Sequence, residues 1–189
     1  MKIVSGTYGG RPLKTLEGKT TRPTSDKVRG AMFNMIGPYF DGGRVLDLYA
    51  GSGGLSIEAV SRGMSEAVLV ERDRRAQEIV AANIAMTKEK ERFQLLKMEA
   101  KQALGLLTGT FDLVFLDISM PVMDGVQAVT TIKANDNFKN LPVVALTAHA
   151  IIGYKEKYLN YGFDAYITKP INDSVLFSCL EKFILSEKR

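Results

Sequence analysis

VLDLYAGSGG, Val45 to Gly54, reads as a short apolar strand running into a glycine-rich turn, and LSIEAVSRG behind it reads as a helix. Glycines in such a turn let backbone N–H groups come close to a ligand, and the helix start adds partial positive charge. The spacing Gly51, Gly53, Ser56 leaves the third glycine of G-x-G-x-x-G unfilled, which disfavours a dinucleotide. Twenty residues after Gly51, Glu71 closes the next apolar run, AVLVERD, where an acid can hold ribose hydroxyls. Glu99 closes a third run, FQLLKMEA, where a carboxylate suits an adenine amino group. Three strand ends therefore converge on one crevice.

The same texture continues outward. Apolar runs RVLDLYAG, AVLVERD, FQLLKMEA, FDLVFLD, PVVALTA and DAYITKP alternate with helical patterns at Gly54–Arg62, Arg74–Thr87, Lys101–Leu107, Gly125–Lys133, Lys155–Tyr161 and Asp173–Leu185. Such alternation predicts an α/β fold with helices on both faces of a parallel sheet. The expected architecture is one three-layer, Rossmann-like domain with six parallel strands in the order 3-2-1-4-5-6. Upstream, IVSGTYGGRPLKTL predicts a β-hairpin around Tyr8-Gly9-Gly10. RPTSDKVRGAMFNMIG then places Thr24 or Ser25 as N-cap of a helix whose apolar positions are Val28, Ala31, Met32, Met35 and Ile36.

Composition narrows the function classes. With 189 residues, 46% of them hydrophobic, the chain can bury a sizeable core. It carries no 18-residue apolar stretch and no apolar leader at MKIVSGTYGG, so a soluble, cytoplasmic protein is expected. One cysteine, Cys179, and one histidine, His149, offer neither an internal disulfide nor a Cys/His metal cluster; Cys179 suits helix packing and His149 a surface loop. The net charge of +4 is concentrated in residues 1–40, where Lys2, Arg11, Lys14, Lys19, Arg22, Lys27 and Arg29 face only Glu17 and Asp26. That region is the candidate for weak RNA binding, with a solvated basic face as the alternative.

The hairpin, TTRPTSDKVRGAMFNMIG, FDGGRVLDLYAGSGGLSIEAVSRG and AVLVERDRRA together resemble the bacterial RsmD family, which methylates guanine N2 in small-subunit ribosomal RNA. The resemblance runs from Met1 to about Asp117. It implies S-adenosylmethionine contacts at Asp47, Gly51, Gly53, Glu71 and Glu99, and a substrate-side edge at Arg22, Pro23 and Thr24. The family's fourth strand ends in an Asn/Asp-Pro-Pro-aromatic loop; here Asp117 is followed by Ile118, Ser119 and Met120. Because positioning the base is much of the catalysis in such enzymes, methyl transfer is expected to be lost or severely reduced.

From the other end, FDLVFLDISMPVMDG, PVVALTAHA and DAYITKPI resemble the second half of a receiver domain of the kind carried by hybrid histidine kinases. That resemblance implies a phosphoacceptor at Asp117, with Thr147, Lys169 and the switch aromatic Tyr166 around it. The acidic pair that would hold Mg²⁺ in a receiver has no counterpart, since Asp47 precedes Leu48 and Tyr49, so neither Mg²⁺ nor any other metal is expected.

The two resemblances share one strand, FDLVFLD, with a junction within about residues 103–117. The sequence thus reads as a hairpin-and-helix extension over residues 1–40 and one composite α/β domain over residues 41–189. The expectation is an engineered chimera, monomer or dimer, without evolved activity, natural signalling partner or membrane contact, in which S-adenosylmethionine binding can survive. The alternatives are an S-adenosylmethionine-dependent rRNA guanine-N2 methyltransferase, and a receiver phosphorylated on Asp117.

Overall fold

The computed structural model describes residues 1–16, 25–116, 129–134, 143–147 and 159–168. The chain forms two compact units, Met1–Phe115 and Leu116–Arg189, each taken by itself below.

In the first unit, α1 (Asp26–Ile36), β1 (Arg44–Asp47), α2 (Gly54–Ser61), β2 (Glu66–Val70), α3 (Arg74–Thr87), β3 (Phe93–Leu96), α4 (Ala100–Leu106) and β4 (Leu113–Phe115) follow in order. The strands lie parallel as β3-β2-β1-β4, with Leu46 opposite Val68 on one side and Val114 on the other. β1 and β2 are the interior strands, and the buried run Val45, Leu46, Ala67, Val68, Leu69 and Val70 reflects burial on both faces. Ser25 caps α1, its hydroxyl accepting the Val28 N–H at 3.3 Å. Asp73 caps α3 by accepting the Ala76 N–H at 2.9 Å.

The second unit contributes β5 (Val144–Thr147) and β6 (Ala165–Thr168), which pair in parallel, Val144 opposite Ala165 and Thr147 opposite Thr168. Residues 129–134 and 159–160 are helical. Asp164 stitches this unit locally, one carboxylate oxygen accepting from Lys133 Nζ at 2.7 Å and from the Val143 N–H at 2.8 Å.

The expected single sheet of six strands is therefore corrected. Four strands join in one sheet, and β5 and β6 form a sheet of their own. Alternating apolar runs establish that strands exist, but pairing depends on edges. β4 is only three residues long, its described pairing is with β1, and the first unit ends at its last residue, Phe115. The helix expected over Asp173–Leu185, together with His149 and Cys179, lies outside the described residues.

The predicted hairpin forms with an antiparallel bridge between Lys2 and Pro12 and with Ile3 N–H to Arg11 C=O and Gly10 N–H to Ile3 C=O bonds of 3.0 and 2.8 Å. It lies over α2. The Thr7 N–H donates to Ser61 C=O at 2.8 Å, and Tyr8 N–H to Ser61 Oγ at 2.9 Å. Gly6 makes the approach possible: at φ +81° a Cβ there would stand 1.8 Å from the Ser61 carbonyl oxygen. Covered by the hairpin and packed on β1 and β2, α2 has Gly54 and Ser56 through Ser61 buried. That explains a helix with no exposed residue.

Glu58 is the exception on that helix. Its carboxylate is 0% exposed, yet it accepts the Val4 and Ser5 N–H groups at 2.7 and 3.0 Å. It also receives Arg29 Nε at 3.2 Å and Arg62 Nε at 2.8 Å. Arg29 continues to Asp26 and to the Lys2 carbonyl, and Arg62 lies over the Phe33 ring, 5.1 Å from its centroid. Phe33 in turn meets Phe40 and Phe115 edge-on at 6.3 and 5.7 Å. Replacing Glu58 by Ala would leave two guanidinium groups buried without their carboxylate. Thermal or denaturant unfolding of Glu58→Ala should therefore show a loss of about 3–5 kcal/mol.

A second cluster ties the hairpin to the end of α3. Tyr8 Oη donates to Glu89 Oε2 at 2.8 Å, and Arg92 Nη1 reaches the same oxygen at 2.7 Å. Arg11 Nη1 donates to the Met86 and Thr87 carbonyls at 3.0 and 3.3 Å, which suits the negative end of a helix. Burial, helped by the bond to Glu89, pushes the Tyr8 phenol up to about 12, while Arg92 and Tyr8 hold Glu89 below the usual carboxylate range. A phenol whose ionisation is suppressed on folding stabilises the fold below its unfolded value of about 10, and that contribution fades as pH rises from there toward 12. Melting temperature should accordingly fall more steeply between pH 10 and 12 in the unmodified protein than in Tyr8→Phe.

Candidate functional site: a crevice at the carboxyl ends of β1, β2 and β3

The crevice begins where β1 ends. Asp47, its last residue, is 2% exposed, and its carboxylate accepts from Ser56 Oγ at 2.9 Å. That bond fastens the first turn of α2 to the strand, and it gives the residue at the unfilled glycine position a definite task. Between them the chain turns through Gly51 at φ +57° and Gly53 at φ +73°. Gly53 is also the N-cap of α2. A Cβ there would meet Leu69 Cδ2 at 3.2 Å and Val80 Cγ1 at 3.5 Å, so both conformation and space favour glycine.

Glu71 follows β2 and reaches back to this turn. Its Oε2 accepts the Gly51 N–H at 2.9 Å and its Oε1 accepts the Asp73 N–H at 2.8 Å. The structure thus brings the glycine turn and the second-strand acid within one hydrogen bond of each other. Glu99 stands at the N-cap of α4, paired with Gln102. Its carboxylate lies 3.7 Å from Arg72 Nη1, with both side chains more than half exposed, so this pair contributes little stability and its acid remains open to a ligand. Of the five residues expected at a cofactor site, Gly51 and Glu71 touch directly, Asp47 and Gly53 brace the turn, and Glu99 lies beyond Arg72.

A groove of about 550 Å³, lined by Arg72, Arg74, Gln77, Glu78, Ala81 and Lys97, borders the crevice without including those five residues. Three cations against one acid give it a basic wall.

The remaining expected residues divide. Thr147 ends β5 and Tyr166 lies in β6 opposite Ala145; Asp117 and Lys169, and with them the phosphoacceptor constellation, fall outside the described residues. So do Arg22, Pro23 and Thr24. The N-terminal basic region offers fewer free charges than its count implies. Arg29 is 1% exposed inside the Glu58 cluster, and Arg11 is committed to the end of α3. Lys2, Lys14 and Lys27 are exposed.

Two polar residues on buried helix faces escaped the sequence reading. Glu58 sits within LSIEAVS, and Asn83 sits on the α3 stripe formed by Ala76, Val80, Ile84 and Thr87. A polar residue at an apolar register position is the signal that marks both.

A family model described as "Conserved hypothetical protein 95" matches residues 1–149. The chain belongs to that family. It is 50% identical over 104 residues to a Bacillus subtilis (strain 168) protein named "Putative rRNA methyltransferase YlbH", spanning 55% of this chain and 56% of that one. It is 38% identical over 88 residues to "Ribosomal RNA small subunit methyltransferase D" of Escherichia coli (strain K12), spanning 47% of this chain and 44% of that protein. A solved structure of a conserved hypothetical protein from Streptococcus pyogenes is 64% identical with a TM-score of 0.52, over 57% of this chain and 67% of that one. The chain thus spans about half the length of the curated relatives it matches. The chain is also 41% identical over 73 residues to "Hybrid signal transduction histidine kinase I" of Dictyostelium discoideum, covering 37% of this chain and 4% of that protein.

These findings overturn the expectation of a chimera without activity. The family match does not stop at Asp117, where the Pro-Pro-aromatic loop is missing; it runs on to residue 149. The 50% identity over 104 residues is to a protein named as an rRNA methyltransferase. The fold is α/β and Rossmann-like with a parallel sheet, and among the described residues no helix is long and apolar enough to cross a membrane.

Proposed function

We propose that the protein is an S-adenosylmethionine-dependent methyltransferase acting on guanine N2 of small-subunit ribosomal RNA. The observation that carries this reading is the junction of the Gly51–Gly53 turn with Glu71, joined by a 2.9 Å hydrogen bond at the carboxyl edge of the sheet. The donor set fits S-adenosylmethionine. A carboxylate at the end of β2 suits a ribose diol, a glycine turn at a helix start admits a close ligand, and an exposed acid at the start of α4 suits an adenine amine. When bound, S-adenosylmethionine would supply an electrophilic methyl group.

The protein's own residues have three tasks. Asp47 and Ser56 keep the turn in place, a bond of 2.9 Å between buried groups. Glu71 and Glu99 select the nucleoside end of the donor. Asp117, one residue after Leu116, is the acceptor-side candidate for the exocyclic amine, and Arg22, Pro23 and Thr24 are the candidates for substrate contact. Holding a weakly nucleophilic amine beside the methyl group is the main contribution available to such a site.

Two names among the relatives specify ribosomal RNA, and the surface suits that partner. Arg72, Arg74 and Lys97 line the groove beside the crevice, and Lys2, Lys14 and Lys27 are exposed. Cations at these positions bind phosphates without reading sequence, so RNA affinity should weaken with salt. Such a substrate implies action in the cytoplasm. The domain reading that accompanies this function is an N-terminal module over residues 1–40 and a catalytic α/β domain beyond it.

The test is transfer of a labelled methyl group to small-subunit rRNA from cells lacking the modification. Transfer to guanine N2 that falls at least about 100-fold in Glu71→Ala and in Asp117→Ala is the expected result. Label incorporation that survives both substitutions, or none with the unmodified folded protein, contradicts the proposal.

A further inference from the structure

Asn83 connects two segments of the first unit, the glycine turn and the chain that follows the hairpin. It is 2% exposed, on the core face of α3. Its Oδ1 accepts the Lys14 N–H at 2.9 Å, and its Nδ2 donates to the Lys14 carbonyl at 2.9 Å and to the Ser52 carbonyl at 2.8 Å. One side-chain amide thus pairs with both backbone groups of Lys14, as a neighbouring strand would, and gives its other proton to the glycine turn. The orientation of the amide follows from the partners. Exchanging oxygen and nitrogen would set Nδ2 against an N–H and Oδ1 against two carbonyl oxygens.

The positions of those partners matter. Ser52 lies between Gly51 and Gly53, in the turn assigned to the donor. Lys14 lies on the arm that leads from the hairpin toward residues 17–24, which include Arg22, Pro23 and Thr24. Hydrophobic packing alone would be met by an apolar residue in the Ala76, Val80, Ile84, Thr87 stripe. A leucine there would leave the Lys14 N–H, the Lys14 carbonyl and the Ser52 carbonyl without this partner, in surroundings where an unmade hydrogen bond is costly.

We propose that Asn83 is a positioning residue that couples the donor turn to the N-terminal arm, so that a ligand ordering Gly51–Gly53 also orders residues 14–16. The inference rests on the reading of the crevice as an S-adenosylmethionine site. Coupling of this kind is reciprocal: loosening the arm at Lys14 weakens the donor site, and filling the donor site steadies the arm.

The experiment is hydrogen exchange and calorimetry on the full chain, with and without S-adenosylhomocysteine, for the unmodified protein, Asn83→Asp, Asn83→Ala and Lys14→Pro. In the unmodified protein the ligand should slow exchange in peptides covering both 50–54 and 13–16. Asn83→Asp keeps the acceptor for Lys14 N–H but sets a carboxylate against two carbonyl oxygens. At pH 8 it should bind the ligand about ten-fold more weakly or worse, with the protection at 13–16 gone. Lowering the pH toward 5 should restore affinity relative to the unmodified protein, because a protonated carboxyl regains one donor. Lys14→Pro removes the arm's N–H without altering α3 and should weaken ligand binding in the same direction, which keeps the test decisive should the Asn83 variants fail to fold.

A merely structural residue gives a different pattern. Melting temperature falls, while ligand affinity, its pH profile and the protection at 13–16 stay as in the unmodified protein; that result overturns the coupling. Absence of ligand binding by the unmodified protein sinks the donor reading instead. The unliganded exchange then decides the coupling: joint acceleration at 13–16 and 50–54 in Asn83→Ala sustains it, and acceleration at 13–16 alone refutes it.

Discussion

A carboxylate without access to water, that of Glu58, sets the geometry on which the first unit depends. It accepts N–H groups from Val4, Ser5, Arg29 and Arg62, and so binds the hairpin, α1 and the end of α2 to one point. Burying a charge is expensive, and a well-packed apolar residue is often no less stabilising than a buried ion pair. What the charge adds is direction, since each N–H must point at one of two oxygens. α2 begins at the Gly51–Gly53 turn and carries Glu58 on its second turn, so this residue ties the hairpin and α1 to the helix that starts there. Asn83 repeats the device with a neutral amide, joining Lys14 of the arm to Ser52 of the turn.

The candidate crevice lies on the edge that this frame leaves open. Interior strands β1 and β2 are buried beyond their first residues, and their carboxyl ends deliver Asp47 and Glu71 to either side of a turn that only glycine closes comfortably. The acids differ in duty. Asp47 is buried and holds Ser56; Glu71 faces the turn itself, and Glu99 is open to solvent. A graded set of this kind, from brace to ligand-facing group, is what a small-molecule site at a parallel sheet edge requires.

Much of this was legible in the sequence, for physical reasons. Val45–Gly54 shows a strand, a turn and a helix start at once, and the helical pattern over Arg74–Thr87 marks α3. Periodicity is local and does not name partners. It therefore marks the α3 helix without revealing that Asn83 meets Lys14 and Ser52, and it finds β5 and β6 without showing that they pair with each other. Phe33, outside the expected apolar set of α1, became a buried hub because Phe40 and Phe115 come to it from distant positions. Counting charge misled in the same way: Arg29 and Arg11 look like nucleic-acid contacts until the fold engages them internally. The short segment Ile118 to Met120 was given too much weight, because a missing loop motif is a local departure whereas the family match extends through it to residue 149.

The central claim is that S-adenosylmethionine occupies the crevice formed by the Gly51–Gly53 turn, Glu71 and Glu99. Its most direct test is a titration of the isotope-labelled protein with S-adenosylhomocysteine, followed through backbone amide resonances. The account predicts saturable shifts at Gly51, Gly53 and residues 71–73, with smaller ones around Glu99, all sharing one dissociation constant. Unmoved resonances at the turn and at Glu71, or shifts confined to another surface of the molecule, would contradict it.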